Sequence, residues 1–307
     1  MLSIGGYDLV SVVTSRFRLD GGAMFGVVPK VLWEKLNPPD PFNRISLTMR
    51  TLVAVDRGSK RVILVDTGAG HKWPPDEAAR YAIEVDPTAL ADALATFGLS
   101  EDDVTDVVVT HLHFDHNGGL TEWADRPGGP TRLRFARARH WLHRRHRTYA
   151  QQPSEKDRAS FLTRDFECVC SLPEIRADAP GPGLVLVDDE PGPPRAAAMP
   201  GVRWFVSCGH TFYQLLPVFF DARLALMFTG DVVPTAAHLR HAWVMAYDLQ
   251  PLETIAEKHR IYAACRDEQW ILAFPHDPAI AGARIAFERG HPVVAETLGA
   301  LEVAATC

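Results

Sequence analysis

A chain of 307 residues with 47% hydrophobic and 23% charged residues has ample material for a sizeable core. Its net charge of −6 gives no general pull toward nucleic acid or an anionic membrane, so neither is expected as a partner. No apolar run approaches the roughly 20 residues needed to cross a bilayer, and the start, Met1-Leu2-Ser3-Ile4-Gly5-Gly6-Tyr7-Asp8, lacks a leader's basic and apolar regions, so a cytoplasmic protein is expected.

Residues 7–18 read as a strand centred on Leu9-Val10-Ser11-Val12-Val13. The glycine-rich Leu19-Asp20-Gly21-Gly22-Ala23-Met24-Phe25-Gly26 lacks the Lys-Ser/Thr ending of a phosphate-binding loop. With no helix at once after it, it reads as a turn facing substrate. Residues 29–43 hold Trp33, Phe42 and several prolines, which suggests an ordered arm without repeating structure. Two strands follow at 45–55 and 61–65, joined at Asp56-Arg57-Gly58-Ser59. A helix is predicted over 87–97, with Leu90, Leu94 and Phe97 on one side and Gly98 as its stop.

The branched run Val107-Val108-Val109 then leads into Thr110-His111-Leu112-His113-Phe114-Asp115-His116-Asn117-Gly118-Gly119. In extended backbone, residues two apart leave the same face, so His111 and His113 share one. The turn after them can swing Asp115 and His116 to a neighbouring point. One segment thus supplies two adjacent metal positions, with imidazole and carboxylate donors that suit zinc or a similar first-row ion.

Residues 132–147 are the most basic stretch and read as a strand at 133–136, then a helix with an arginine face; no aromatic platform for bases accompanies it. The polar, proline-rich 151–183 carries a short helix near 156–161 and reads as a lid over a site. Strands are predicted at 184–187, 202–206, 215–220, 224–228 and 270–274, and helices at 253–266 and 280–289. Strands end on His210, Asp231 and His276, and the strand at 61–65 ends on Asp66-Thr67-Gly68. The thiols Cys168, Cys170, Cys208, Cys265 and Cys307 are odd in number and irregularly spaced, as reduced cysteines are. His71, His140, His143, His146, His241, His259 and His291 show no partner pattern. No linker is evident, and residues 1–307 read as one domain with an active-site arm near 20–43 and a lid-like insertion near 151–183.

The His-x-His-x-Asp-His signature, followed by His210, Asp231 and His276 in that order, resembles the metallo-β-lactamase superfamily. The far half, Gly230-Asp231-Val232-Val233-Pro234-Thr235-Ala236-Ala237-His238-Leu239 with Tyr247-Asp248 and Pro251-Leu252-Glu253-Thr254, is similar to its quorum-quenching lactonase branch. That resemblance implies an α/β fold, a four-layer αββα sandwich with the metals at one edge of two sheets. It puts His111, His113 and His210 on one ion and Asp115, His116 and His276 on the other, with Asp231 bridging. It implies two divalent ions, zinc first and iron, manganese or cobalt as alternatives. Asp66 then hydrogen-bonds a ligating histidine, and the leaving group takes its proton from Asp115 or from a metal-bound water. The expected reaction is hydrolysis of a lactone or ester of the N-acyl-homoserine lactone kind. A phosphotriesterase or arylesterase on the same site is the alternative, ahead of an iron redox member or a nuclease. The expected partner is a small molecule with an apolar portion, and a homodimer is left open. Met24, Phe25, Trp33, Phe212, His238 and Trp243 are the candidate pocket walls. The chain departs from many relatives at Phe212-Tyr213-Gln214 and at Val232-Val233-Pro234, where lactonases carry a tyrosine.

Overall fold

The computed structural model describes residues 1–196 and 198–301. Cys307 lies outside them. The central strands are apolar without interruption because both faces are covered. In Arg44–Asp56, Leu52 and Ala54 face one core while Val53 and Val55 face another. In Arg61–Val65, Ile63 and Val65 divide from Val62 and Leu64 in the same way. These strands belong to the first sheet, which runs in order Leu2–Ile4, Tyr7–Asp20, Arg44–Asp56, Arg61–Val65, Asp106–Val108, Arg139–His143, Gly183–Val187. Its members from Arg61–Val65 onward are parallel.

The second sheet runs Gly192–Ala196, Val202–Ser207, Gln214–Phe220, Ala225–Phe228, Trp270–Ala273, Gly282–Glu288, His291–Thr297. Between the sheets lies a core in which Leu9, Leu52, Val65 and Trp141 meet Trp204, Leu215, Phe219 and Ile271. On the outer face of the first sheet sits the helix Ala89–Ala95, with Leu90 and Leu94 buried against Val53, Leu64 and Val107. On the outer face of the second lies Pro251–Asp267, which buries Ile261, Tyr262 and Cys265 against Phe205, Leu216 and Leu272. Helix, sheet, sheet, helix is the expected αββα order. Among the described residues no helix is long and apolar enough to cross a membrane.

Several segments differ from the reading of the sequence. Residues 280–289 are not a helix but the strand Gly282–Glu288, paired with His291–Thr297. Arg289 and Gly290 turn the chain with φ of 51° and 82°, the left-handed pair that a tight hairpin requires. The alternation of Ile285 and Phe287 with Ala286 and Glu288 outweighed the apparent helical spacing. The strand expected at 133–136 is instead Thr131–Leu133, and a further strand, Arg139–His143, lies where a helix had been expected. Its residues 140–143 are buried between neighbours, and the helix Arg144–Gln151 begins only afterwards. The turn at 19–26 contains a short helix, Gly21–Phe25, whose first turn is capped by the Asp20 carboxylate accepting from Ala23 N at 2.8 Å. The lid region holds a helix, Thr163–Cys170, that its polar composition concealed.

Candidate metal centre

Five strand ends converge at one edge of the two sheets. Arg61–Val65 ends on Asp66, Asp106–Val108 on residues 109–116, Val202–Ser207 on the loop to His210, Ala225–Phe228 on Asp231, and Trp270–Ala273 on His276. Parallel neighbours deliver their carboxyl ends to the same side, where α/β sheets place ligands. Backbone bonds tie the edge together: Thr48 N donates to His276 O at 3.1 Å and Leu215 N to Thr110 O at 2.9 Å.

The glycines of two motifs have a steric cause. A Cβ on Gly70 would come within 2.3 Å of Gly118 O, and one on Gly118 within 2.1 Å of Ala69 O. The loop after Asp66 and the turn after His116 therefore touch backbone to backbone, and Thr67 N donates to His116 O at 2.7 Å. This contact holds Asp66 at a left-handed φ of 58°, a costly conformation for a residue with a Cβ. So placed, the Asp66 carboxylate accepts from Thr110 N and Thr110 Oγ1 at 2.8 Å each and from His116 Nδ1 at 2.7 Å. His113 precedes, and Asp115 and His116 lie on, the one-turn helix Phe114–Asn117.

Two groups of buried side chains result, each with donor atoms within 4.8 Å of one another: His111, His113 and His210, and Asp115, His116, Asp231 and His276. His276 Nδ1 lies 2.8 Å from Thr48 O, and His210 Nδ1 lies 3.0 Å from Asp248 Oδ1. With His116 on Asp66, three imidazoles thus donate from Nδ1 and keep a lone pair on Nε2. Yet His276 Nε2 and His116 Nε2 face each other at 3.0 Å, and His210 Nε2 faces His113 Nδ1 at 3.1 Å. Where both nitrogens of such a pair carry lone pairs they repel, unless a proton or a metal ion lies between them. The buried His111 Nε2 has no hydrogen-bond partner among the described residues, another donor atom left for such a cation.

The Asp231 carboxylate sets one oxygen 3.0 Å from His276 Nε2 and 3.2 Å from His116 Nε2, and the other 3.3 Å from His210 Nε2. Burial pushes Asp231 up, but the imidazoles of His116, His276 and His210 outweigh it and hold the carboxyl well below its usual range. Burial, together with neighbouring imidazoles, holds His111 and His113 well below theirs. His116 and His210 shift the other way: burial pushes them down, but the neighbouring carboxylates, Asp231 foremost, outweigh it and raise both. Neutral imidazole and ionised carboxylate are the forms that bind metal, and an ion displaces those protons. The donor set fits divalent ions.

A cavity of about 160 Å³ opens beside the cluster, with His113, Asp115, His210, Asp231 and His276 in its wall. Of the six wall residues expected from sequence, Met24 lines it. Phe25 and Trp33 do not: they are fully buried behind it, stacked with ring centroids 5.3 Å apart. His238 does not face substrate either. Its ring stacks on Phe25 at 4.6 Å, and its nitrogens are engaged with Thr235 Oγ1 and Met24 O at 2.8 Å each. Trp243 packs its edge on Phe25, and Phe212 meets Tyr149 edge-on outside the cavity. The apolar lining comes instead from Leu19, Leu47, Phe114 and Met245 with Met24.

Lys156, Asp157, Ala159 and Ser160 of the lid region also contribute to the wall. Asp248 and His146 were not singled out for roles in the sequence. His146 Nε2 accepts from Leu112 N at 2.8 Å and Nδ1 donates to Phe212 O at 2.7 Å, so it braces the metal-motif loop. Burial pushes it down to about 4, keeping the acceptor nitrogen free. A lone histidine on a helix start carries no periodicity that would reveal this.

The sequence profile of the metallo-β-lactamase superfamily matches residues 50–302. The chain belongs to the metallo-β-lactamase superfamily. With this cluster it is a metal-dependent hydrolase of that superfamily. No curated protein sequence matches it. Among solved structures it is similar to a probable metal-dependent hydrolase from Staphylococcus aureus, at 25% identity and a TM-score of 0.79, over 97% of this chain and 100% of that one. It also shares the fold of AidC, a dizinc quorum-quenching lactonase, at 14% identity and a TM-score of 0.73, over 95% of each chain. An N-acyl homoserine lactone hydrolase aligns at 17% identity and a TM-score of 0.62, over 88% of this chain and 93% of that one.

Proposed function

We propose that this metallo-β-lactamase-fold hydrolase opens a lactone or ester with an apolar portion, of the N-acyl-homoserine lactone kind, using two divalent ions. His111, His113 and His210 would hold one ion, Asp115, His116 and His276 the other, and Asp231 would serve both. Zinc suits this nitrogen- and oxygen-donor set. When bound, two such ions supply Lewis acidity and lower the pKa of a shared water from 15.7 toward about 7.

The observation that carries the reading is Asp231, whose two oxygens each approach a different histidine group at 3.0–3.3 Å. The protein's own part is to hold and orient. Asp66, Asp248 and the Thr48 carbonyl fix which nitrogen each imidazole offers. Leu19, Met24, Leu47 and Met245 form an apolar wall for the substrate's acyl portion and exclude water from it. Asp115 stands in the cavity wall with Oδ2 3.6 Å from His276 Nε2, where it can take up the proton that the attacking water loses and pass it to the leaving oxygen.

The test is kcat/KM on a panel of homoserine lactones, aryl esters and phosphotriesters with zinc-loaded protein. Turnover of lactones or esters that rises with acyl length supports the proposal. Fast turnover of phosphotriesters with a flat lactone series replaces it with a phosphotriesterase.

A further inference from the structure

The cavity wall contains a cation that the metal chemistry does not use. Lys156 is the one lysine or arginine among the described residues lining the cavity. Its ammonium donates to the main-chain carbonyl of Asp248 and pairs with no carboxylate among the described residues. The adjacent Asp157, which also lines the cavity, makes no ion pair with it, because that carboxylate is turned to other donors. Tyr149 OH donates to both of its oxygens at 2.8 and 2.9 Å, Ser154 Oγ donates at 2.8 Å and Thr211 Oγ1 at 3.3 Å.

Ser160, four residues on, lines the same cavity with a hydroxyl that makes no hydrogen bond among the described residues. Because the Asp248 carboxylate backs His210, the ammonium stands on the His210 side of the centre. An ammonium with donors to spare and a free hydroxyl thus line one cavity, two donors for an oxyanion. Leu19, Met24 and Leu47, which line the same cavity, offer nothing to a charge.

We propose that Lys156 and Ser160 hold a carboxylate of the substrate, so that the preferred lactones or esters carry a free carboxylate at a distance from the bond that breaks. This rests on the hydrolase reading above. Lys156 acts here as a specificity residue through a charge-assisted hydrogen bond.

The test compares two aryl esters that differ by one group: monophenyl glutarate, which ends in a carboxylate, and phenyl valerate, which ends in a methyl. Wild type should favour the glutarate ester by KM. Lys156→Met should lose roughly 10–100-fold in kcat/KM on it, the range for one hydrogen bond to a charged group. The same variant should lose far less on phenyl valerate, so that the preference between the two esters collapses, and Lys156→Arg should keep much of the preference. Equal loss on both esters makes Lys156 a latch between lid and loop and overturns the proposal. If neither ester is hydrolysed, the hydrolase reading fails on these probes, and calorimetric binding of glutarate and valerate to the zinc-loaded protein decides. Tighter glutarate binding that Lys156→Met abolishes upholds the subsite, and equal binding overturns it.

Discussion

Asp66→Asn tests how the strand end behind the centre works. The carboxylate accepts from three donors, Thr110 N, Thr110 Oγ1 and His116 Nδ1, at 2.7–2.8 Å. Asparagine has nearly the same shape and tolerates the left-handed backbone there, so the fold should survive. Its amide has one oxygen, however, and its NH2 group must then face a donor. If the NH2 turns toward His116, the ring must offer Nδ1 as acceptor and carry its proton on Nε2, the atom facing His276 Nε2 at 3.0 Å. If it turns toward Thr110, the buried Thr110 N–H loses its partner. Either arrangement weakens the ligand set. Loss of such a backing carboxylate costs about 10–100-fold in metal affinity, or about 1.4–2.7 kcal/mol. Zinc affinity measured by competition with a chromophoric chelator should fall by that amount, while the metal-free variant melts within a few degrees of metal-free wild type. Unchanged zinc affinity would refute the reasoning and leave Asp66 a turn residue.

Asp248→Asn should weaken zinc by a similar factor through His210, and the same chelator competition reads it. Met24→Ala should flatten the rise of kcat/KM with acyl length, which is worth about 0.8 kcal/mol per buried methylene. Phe25→Ala, by contrast, should cost about 3–5 kcal/mol of stability in denaturant melts, because Phe25 is packed between Trp33 and His238. Glu257 is buried, accepts from Ser207 Oγ and Cys208 N at 2.7 Å each, and burial pushes it up to about 7 from 4.5. Its protonated form is therefore favoured by folding. Wild type should lose stability relative to Glu257→Gln as pH rises from about 4.5 to 7, by about 3 kcal/mol at most. A pH-independent difference between their urea midpoints contradicts this.

The core strands were legible because two-sided burial writes unbroken runs such as Val107-Val108-Val109 and Ile63-Leu64-Val65 into the chain. The histidines and aspartates of the cluster were legible because each follows such a run at its carboxyl end. The His-x-His-x-Asp-His spacing needs no tertiary knowledge. What the sequence hid depends on contacts between distant segments. Asp248 lies in a loop and acquires its role only where that loop passes His210. His146 matters because its helix start lies under Leu112. Phe25 and Trp33 sit in an arm whose large apolar residues could have faced either the cavity or the protein, and the stack with His238 turned them inward. The hairpin at Gly282–Glu288 was hidden by a run that suits both periods until the Arg289-Gly290 turn is weighed.

The central claim is that Asp231 joins two ion sites. Calorimetric titration of zinc into chelator-stripped protein tests it most directly. The account predicts two ions bound per chain in wild type, with the Asp231→Ala variant retaining one at most under the same conditions. Saturation of wild type at a single ion, with Asp231→Ala unchanged, would contradict it.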